Sequence, residues 1–140
     1  MNHEYAAGAI LYTMIEHHPY FILVQETDGH IGFPKGHIEL NETEEETALR
    51  EVLEETSINA KIIPGFYQKV QYEKEYNVMK HVTYFLAYYE HQQEAKQQNE
   101  IDQLYLLSYE ESIQKLTYEN SKELLKLAIH EIKEENSSNK

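Results

Sequence analysis

The sequence predicts an α/β domain in which helices pack on a mixed β-sheet. Three observations lead there. β-rich runs alternate with segments of helical periodicity along the chain. At 140 residues and 41% hydrophobic, the chain has about one domain's length and enough apolar material for one small core. No repeat, linker or composition break divides it. A single domain over 1–135 is expected, and the polar stretch Glu134 to Lys140 is expected to fray over 136–140.

Ala6 to Ile15 and Tyr20 to Val24 are the first strands, with a hairpin turn at His17-His18-Pro19. Asp28 to Leu40 holds three of the five glycines and one of the three prolines, which marks a shaped loop. A helix follows over Glu42 to Thr56, capped by Asn41 or Thr43, with Glu44, Glu45 and Glu46 at the positive end of its dipole. Strands are then expected at Ile58–Ile63, Phe66–Tyr76, Val78–Tyr89 and Ile101–Leu107, and helices at Tyr109–Leu116 and Ser121–Glu135.

Charge and composition narrow the function classes. Twenty-five acids against twelve bases give a formal charge of −13, which disfavours nonspecific binding to nucleic-acid phosphates and requires a cation for any anionic substrate. With no cysteine there is no disulfide framework, thiolate metal site or cysteine nucleophile. The start, Met1-Asn2-His3-Glu4-Tyr5, lacks a basic signal-peptide region, and no apolar run approaches a membrane span. A cytoplasmic location without membrane partners is expected.

The helix from Glu42 carries the chemistry. At about 100° per residue, Ala48, Leu49, Val52, Leu53 and Thr56 gather on one side, expected to face the core. Glu51, Glu54 and Glu55, spaced i, i+3 and i+4, gather on nearly the opposite side. Three carboxylates this close repel one another unless a cation lies between them, and hard oxygen ligands suit Mg²⁺ or Mn²⁺. Arg50 is the only arginine among eleven lysines, and its i+4 spacing sets its fork beside Glu54. The plain alternative is a solvated Glu-rich helix face. His3, His17, His18, His91 and His130 show no zinc-like spacing and read as surface residues.

Gly36, Glu42, Arg50, Glu51, Val52, Glu54, Glu55 and Ile58 together resemble the Nudix box, G-x5-E-x7-R-E-U-x-E-E-x-G-U, at eight of its nine fixed positions. The departure is Ser57, where the family has a glycine that ends the helix in a left-handed conformation. The resemblance implies the Nudix fold, an α/β/α sandwich around a mixed β-sheet. It also implies hydrolysis of a nucleoside diphosphate linked to another moiety. A divalent metal would be held by Glu51, Glu54, Glu55 and a backbone carbonyl near Lys35 and Gly36. Glu42 would hold Arg50 from behind. The general base would be a box glutamate such as Glu54 or a later acid, here Glu100.

Phe33-Pro34-Lys35-Gly36-His37-Ile38-Glu39 is similar to a segment of the diadenosine tetraphosphate hydrolases within that family. There Lys35 would reach a phosphate oxygen, and His37 would contact phosphate or brace the loop. Gly65-Phe66, Tyr72 and the run Lys80 to Ala87 resemble the stretch that supplies an adenine-stacking tyrosine and a phosphate-binding lysine, which makes Tyr72 and Lys80 the matching positions. Among the twelve tyrosines, Tyr84 and Tyr118 are further candidates for contact with the nucleotide, with core packing or stapling of the last helix as the alternative. A one-residue slip in the loop would substitute Tyr76 for Tyr72. The resemblance thus implies a Mg²⁺- or Mn²⁺-dependent enzyme that splits diadenosine tetraphosphate into ATP and AMP. A nucleoside triphosphate pyrophosphatase, an RNA 5′-pyrophosphohydrolase and a diphosphoinositol polyphosphate hydrolase are the alternatives, the last two wanting basic surfaces. A nucleotide sensor without activity would not need three mutually repelling acids.

Overall fold

The computed structural model describes residues 1–91 and 101–138. Strand β1, Asn2–Ile15, and strand β2, His18–Glu26, form an antiparallel hairpin. Its turn is Glu16-His17, with φ of 50° and 70°. Two left-handed residues in a two-residue turn match the right-handed twist of the strands. The turn therefore lies one residue earlier than expected, and Pro19 is a strand residue opposite Met14.

The expected loop contains two short strands, β3 at Ile31–Gly32 and β4 at Lys35–His37. β4 pairs with β1 so closely that a side chain at Gly8 would collide with the Pro34 carbonyl. Helix α1 runs over Glu44–Thr56, two residues shorter than expected at its start. Thr43 is the cap, and it exchanges hydrogen bonds with Glu46 in a capping box. Strand β5, Lys61–Glu75, starts three residues later than expected and runs through Pro64-Gly65 without ending. Its register with strand β6, Val78–Tyr88, breaks between Ile62 and Tyr67, and Gly65 takes φ 91° there, so the Pro-Gly pair makes a bulge instead of a loop. Strand β7, Ile101–Ser108, helix α2, Tyr109–Lys115, and helix α3, Glu119–Ser138, complete the described chain.

The sheet order is β3-β2-β1-β6-β5, with β4 also on β1 and β7 on β2. β1 and β6 are parallel, from Asn2 opposite Val78 to Tyr12 opposite Tyr88, and the other pairs are antiparallel, so the sheet is mixed as expected. One face buries Ile10, Phe21, Leu23 and Leu86 against Leu124, Leu125, Ala128 and Ile132 of α3. The other face buries Ala7, Leu11 and Phe85 against Ala48 and Val52 of α1. Glu44 accepts a short hydrogen bond from Thr83 on β6 and ties the start of α1 to the sheet. The result is the expected α/β/α layering.

Helix α3 extends over Glu119–Ser138, with Ile132 buried against the sheet. Among the described residues no helix is long and apolar enough to cross a membrane.

α1 ends as the resemblance implies, with Ser57 left-handed at φ 65°. Serine bears strain there that glycine would not, offset in part by glycine's freedom in the unfolded chain. Ser57→Gly is expected to leave stability unchanged or raise it by up to about 1 kcal/mol in urea denaturation. A clear loss would show that the serine side chain makes a contact worth more than its strain.

Candidate active site

α1, β4 and the loop between them bring the box residues together. α1 does not present its acids to solvent as the wheel predicts. Its buried residues are Thr47, Ala48, Glu51, Val52, Glu55 and Thr56, whereas Leu53 is 43% exposed and Leu49 is half-buried. The stripe that faces inward is rotated toward the glutamates because β4 lies against that side, so two carboxylates are covered by backbone.

Gly36 shows how tight this contact is. An added Cβ there would fall on the Glu51 carboxylate, so only glycine leaves room for it. Glu51 is 9% exposed and Glu55 5% exposed. One Glu55 oxygen, Oε2, is buried with no hydrogen-bond partner. Burial first, then the Glu51 and Glu26 charges, push the Glu55 carboxyl up to about 9, while the Lys35 backbone and ammonium pull it back only in part. Without a cation this carboxyl is protonated at neutral pH.

Arg50 organises the outer half of the site. Its Nε donates to Glu42 Oε2 at 2.6 Å and its Nη2 to Glu42 Oε1 at 3.0 Å, a two-point grip. Nη1 reaches Glu51 Oε2 at 2.8 Å and Glu54 at 3.3 Å, and Nη2 also donates to the His37 carbonyl at 3.0 Å. Glu42 receives two further bonds, from the Glu39 backbone N–H at 3.0 Å and the Thr47 hydroxyl at 2.7 Å. The guanidinium, these donors and their charge hold its carboxyl down at about 2. Glu42 lies outside α1, and its grip on Arg50 matches the expectation.

The arrangement suits a hard cation but is not closed around one. Among the described residues no three His, Cys, Asp or Glu side chains converge as a metal-binding group. Arg50 turns Glu51 and half-exposed Glu54 toward itself. The unsatisfied Glu55 oxygen beside a second buried carboxylate fits a divalent ion chemically, since a cation would relieve both the burial and the mutual repulsion.

The remaining expected residues lie on β4, β5, β6 and the segment before α3. Lys80, opposite Tyr72 in the β5–β6 register, is 7% exposed. Tyr72 and Tyr118 are partly exposed, and each has a phenol raised first by burial. Tyr84 differs from expectation. Its ring is buried in the core on the α3 side of the sheet, edge-on to Phe33 at 6.0 Å. Tyr76 lies at the β5–β6 turn and is almost fully exposed, whereas Tyr72 is the tyrosine beside Lys80. The His37 side chain points outward to Glu4 at 3.6 Å, and its carbonyl braces Arg50, the bracing alternative of the two expected. Glu100 lies outside the described residues. Sequence reasoning did not single out Glu26 at the end of β2, whose charge adds to the upward push on the Glu55 carboxyl.

The family model for the NUDIX domain matches residues 2–128. This chain belongs to the NUDIX family. It is 44% identical over 72 residues to the asymmetrical bis(5′-nucleosyl)-tetraphosphatase of Mus musculus and 42% identical over 72 residues to that of Rattus norvegicus, each match covering 48% of both chains. These matches therefore span about half the length of either relative. Among solved structures, a binary complex of C. elegans Ap4A hydrolase superposes with a TM-score of 0.81 at 26% identity, covering 88% of this chain and 93% of that one. The NUDIX domain of Shewanella oneidensis NrtR, complexed with ADP ribose, superposes with a TM-score of 0.76 at 18% identity, covering 94% and 90%, a likeness of fold.

Two outcomes follow from the packing. Gly36→Ala should displace Glu51 and weaken Mn²⁺ binding at least about tenfold, the scale of a lost or misplaced ligand. Wild-type affinity in that variant would contradict the close fit. Glu55 has a folded pKa raised above its unfolded value, so its contribution favours the folded state at low pH and is lost as pH rises from about 4.5 through about 9. Metal-free Glu55→Gln should therefore lose less stability over that range than the parent in melts recorded across pH. Parallel curves would contradict the raised carboxyl.

Proposed function

We propose that this NUDIX-family chain hydrolyses dinucleoside polyphosphates, splitting diadenosine tetraphosphate into ATP and AMP by attack of water on phosphate. A divalent cation, Mg²⁺ or Mn²⁺, would be held by Glu51, Glu54, Glu55 and the backbone carbonyls near Lys35 and Gly36. The observation that carries the reading is the buried ammonium of Lys80. Lys80 has neither a hydrogen bond nor an ion pair among the described residues, and the same is true of the Lys35 side chain. Burial first, and then the charge of Lys35, push the Lys80 ammonium down. In a chain of net charge −13, a buried lysine close enough to feel the charge of a second, Lys35, favours an anion with spread charge, and a polyphosphate supplies it.

The residues divide the work. Glu42 fixes Arg50, and Arg50 keeps Glu51 and Glu54 within reach of the cation position. When bound, the divalent ion supplies charge neutralisation on the phosphate oxygens. Lys35 and Lys80 meet the phosphates beyond it. Tyr72 and Tyr118 offer ring faces for adenine. The base that accepts the water's proton is Glu54 or Glu100. The names of the mouse and rat relatives support asymmetrical cleavage of a four-phosphate substrate. The absence of cysteine agrees with a cytoplasmic setting.

The test is a product analysis with Mg²⁺ across dinucleoside polyphosphates, nucleoside triphosphates and triphosphorylated RNA. ATP and AMP should appear from diadenosine tetraphosphate faster than ATP itself is cleaved. Tyr72→Ala should remove a stacking contact worth roughly 1–3 kcal/mol and raise KM about 5- to 150-fold, with a smaller fall in kcat. Lys80→Ala should weaken four-phosphate substrates more than ATP. Faster cleavage of ATP by the parent, or dinucleotide kinetics within twofold of wild type in both variants, would replace this reading with a nucleoside triphosphate pyrophosphatase.

A further inference from the structure

Thr47 lies fully buried in the first turns of α1, between the cap at Thr43 and Arg50. A threonine inside a helix ordinarily turns its hydroxyl back to the carbonyl one turn earlier. Thr56 of the same helix does so, donating to the Val52 carbonyl at 2.6 Å. Thr47 does not. The Thr43 carbonyl one turn before it takes the Thr47 backbone N–H at 3.0 Å, and the Thr47 hydroxyl reaches out of the helix to Glu42 Oε1 at 2.7 Å. That bond ties α1 to the segment between β4 and α1, where Glu42 lies.

Glu42 passes the constraint on. Its Oε1 also accepts from the Glu39 N–H and from Arg50 Nη2, each at 3.0 Å, while its Oε2 accepts from Arg50 Nε at 2.6 Å. A two-point grip needs the carboxylate plane turned to meet the guanidinium fork. Two donors set that plane independently of Arg50, the Glu39 N–H from the loop and the Thr47 hydroxyl from the helix. Only Thr47 refers the carboxylate to the element that carries Arg50, Glu51, Glu54 and Glu55. Thr47 and Arg50 stand three residues apart on one side of α1, so both reach the same carboxylate. Arg50 in turn holds Glu51 at 2.8 Å and Glu54 at 3.3 Å through Nη1. Without the hydroxyl, the Glu39 bond alone leaves Glu42 a hinge about Oε1, the fork loses its match, and the carboxylates it steers shift with it.

We propose that Thr47 is a positioning residue for the cation site: its buried hydroxyl presets Glu42 for the grip on Arg50 and thereby sets cation affinity and turnover without touching the substrate. This rests on the reading that Glu51, Glu54 and Glu55 hold a divalent cation. It does not depend on which polyphosphate is cleaved.

The experiment titrates Mn²⁺ alone into the protein by electron paramagnetic resonance, then measures diadenosine tetraphosphate kinetics in saturating Mg²⁺. Thr47→Val keeps the shape of the side chain and removes the hydroxyl. It should bind Mn²⁺ about 10- to 100-fold more weakly, the range for losing a group that orients metal ligands, and lower kcat at least about tenfold. KM should stay within about twofold of the parent's. Thr47→Ser keeps the hydroxyl and should restore most of both losses, and Thr47→Ala carries the same comparison if the valine variant does not fold. In a Glu42→Gln background, where the grip is already weakened, Thr47→Val should add less than about twofold. Parental Mn²⁺ affinity in the valine variant, equal losses in the serine and valine variants, or a full additional loss in the Glu42→Gln background would each overturn the proposal. If the Mn²⁺ losses appear but the parent does not cleave diadenosine tetraphosphate, the substrate reading fails and the role of Thr47 stands. If Glu55→Gln leaves Mn²⁺ affinity at the parent's level, the cation reading fails and the role of Thr47 falls with it.

Discussion

The rest of the site depends on one unfavourable fact, the burial of two neighbouring carboxylates, Glu51 and Glu55, with a Glu55 oxygen left unbonded. Buried charge without a partner is among the costliest things a fold can hold. Here the cost is moderated from two sides. Arg50 satisfies Glu51 from the outside, and protonation satisfies Glu55 from within. A divalent ion would replace both measures at once.

The fold supplies this arrangement through backbone, not through side-chain excess. β4 is three residues long, yet its pairing with β1 presses the Lys35-Gly36 backbone onto α1. Gly8 and Gly36 each permit an approach that any side chain would block. The capping box at Thr43 and the Glu44 contact with Thr83 set the angle and depth of the helix. Glu42 then fixes Arg50 through two of its nitrogens, a task lysine's single ammonium could not perform. The sheet sets further residues by register, since β5–β6 pairing places Tyr72 and Lys80 side by side.

Much of this was legible in the residues. The box spacing and the lone arginine locate the helix and the Arg50 partners, because those are short-range relations along one element. The helix ends are legible for the same reason, with Thr43 and Ser57 each performing a local backbone task. What could not be read is which way the helix faces. Leu53 was expected inside and is exposed, and Glu51 and Glu55 were expected outside and are buried, because polarity patterns assume that a buried face is apolar. The Pro64-Gly65 bulge likewise depends on partners distant in sequence. Tyr84 resembles a ligand residue in its local run, but alternation along β6 turns it into the core.

The most direct measurement is the proton balance of cation binding. Mn²⁺ titrated into metal-free protein at pH 7, in buffers of different ionisation enthalpy, reports the protons released per ion bound. A carboxyl held at about 9 by burial and by Glu51 must give up its proton to bind the cation, so release of about one proton is expected. The same titration of Glu55→Gln should release almost none. Release near zero from the parent would mean that Glu55 is already ionised without metal, and would contradict the buried, protonated carboxyl on which the arrangement of this site depends.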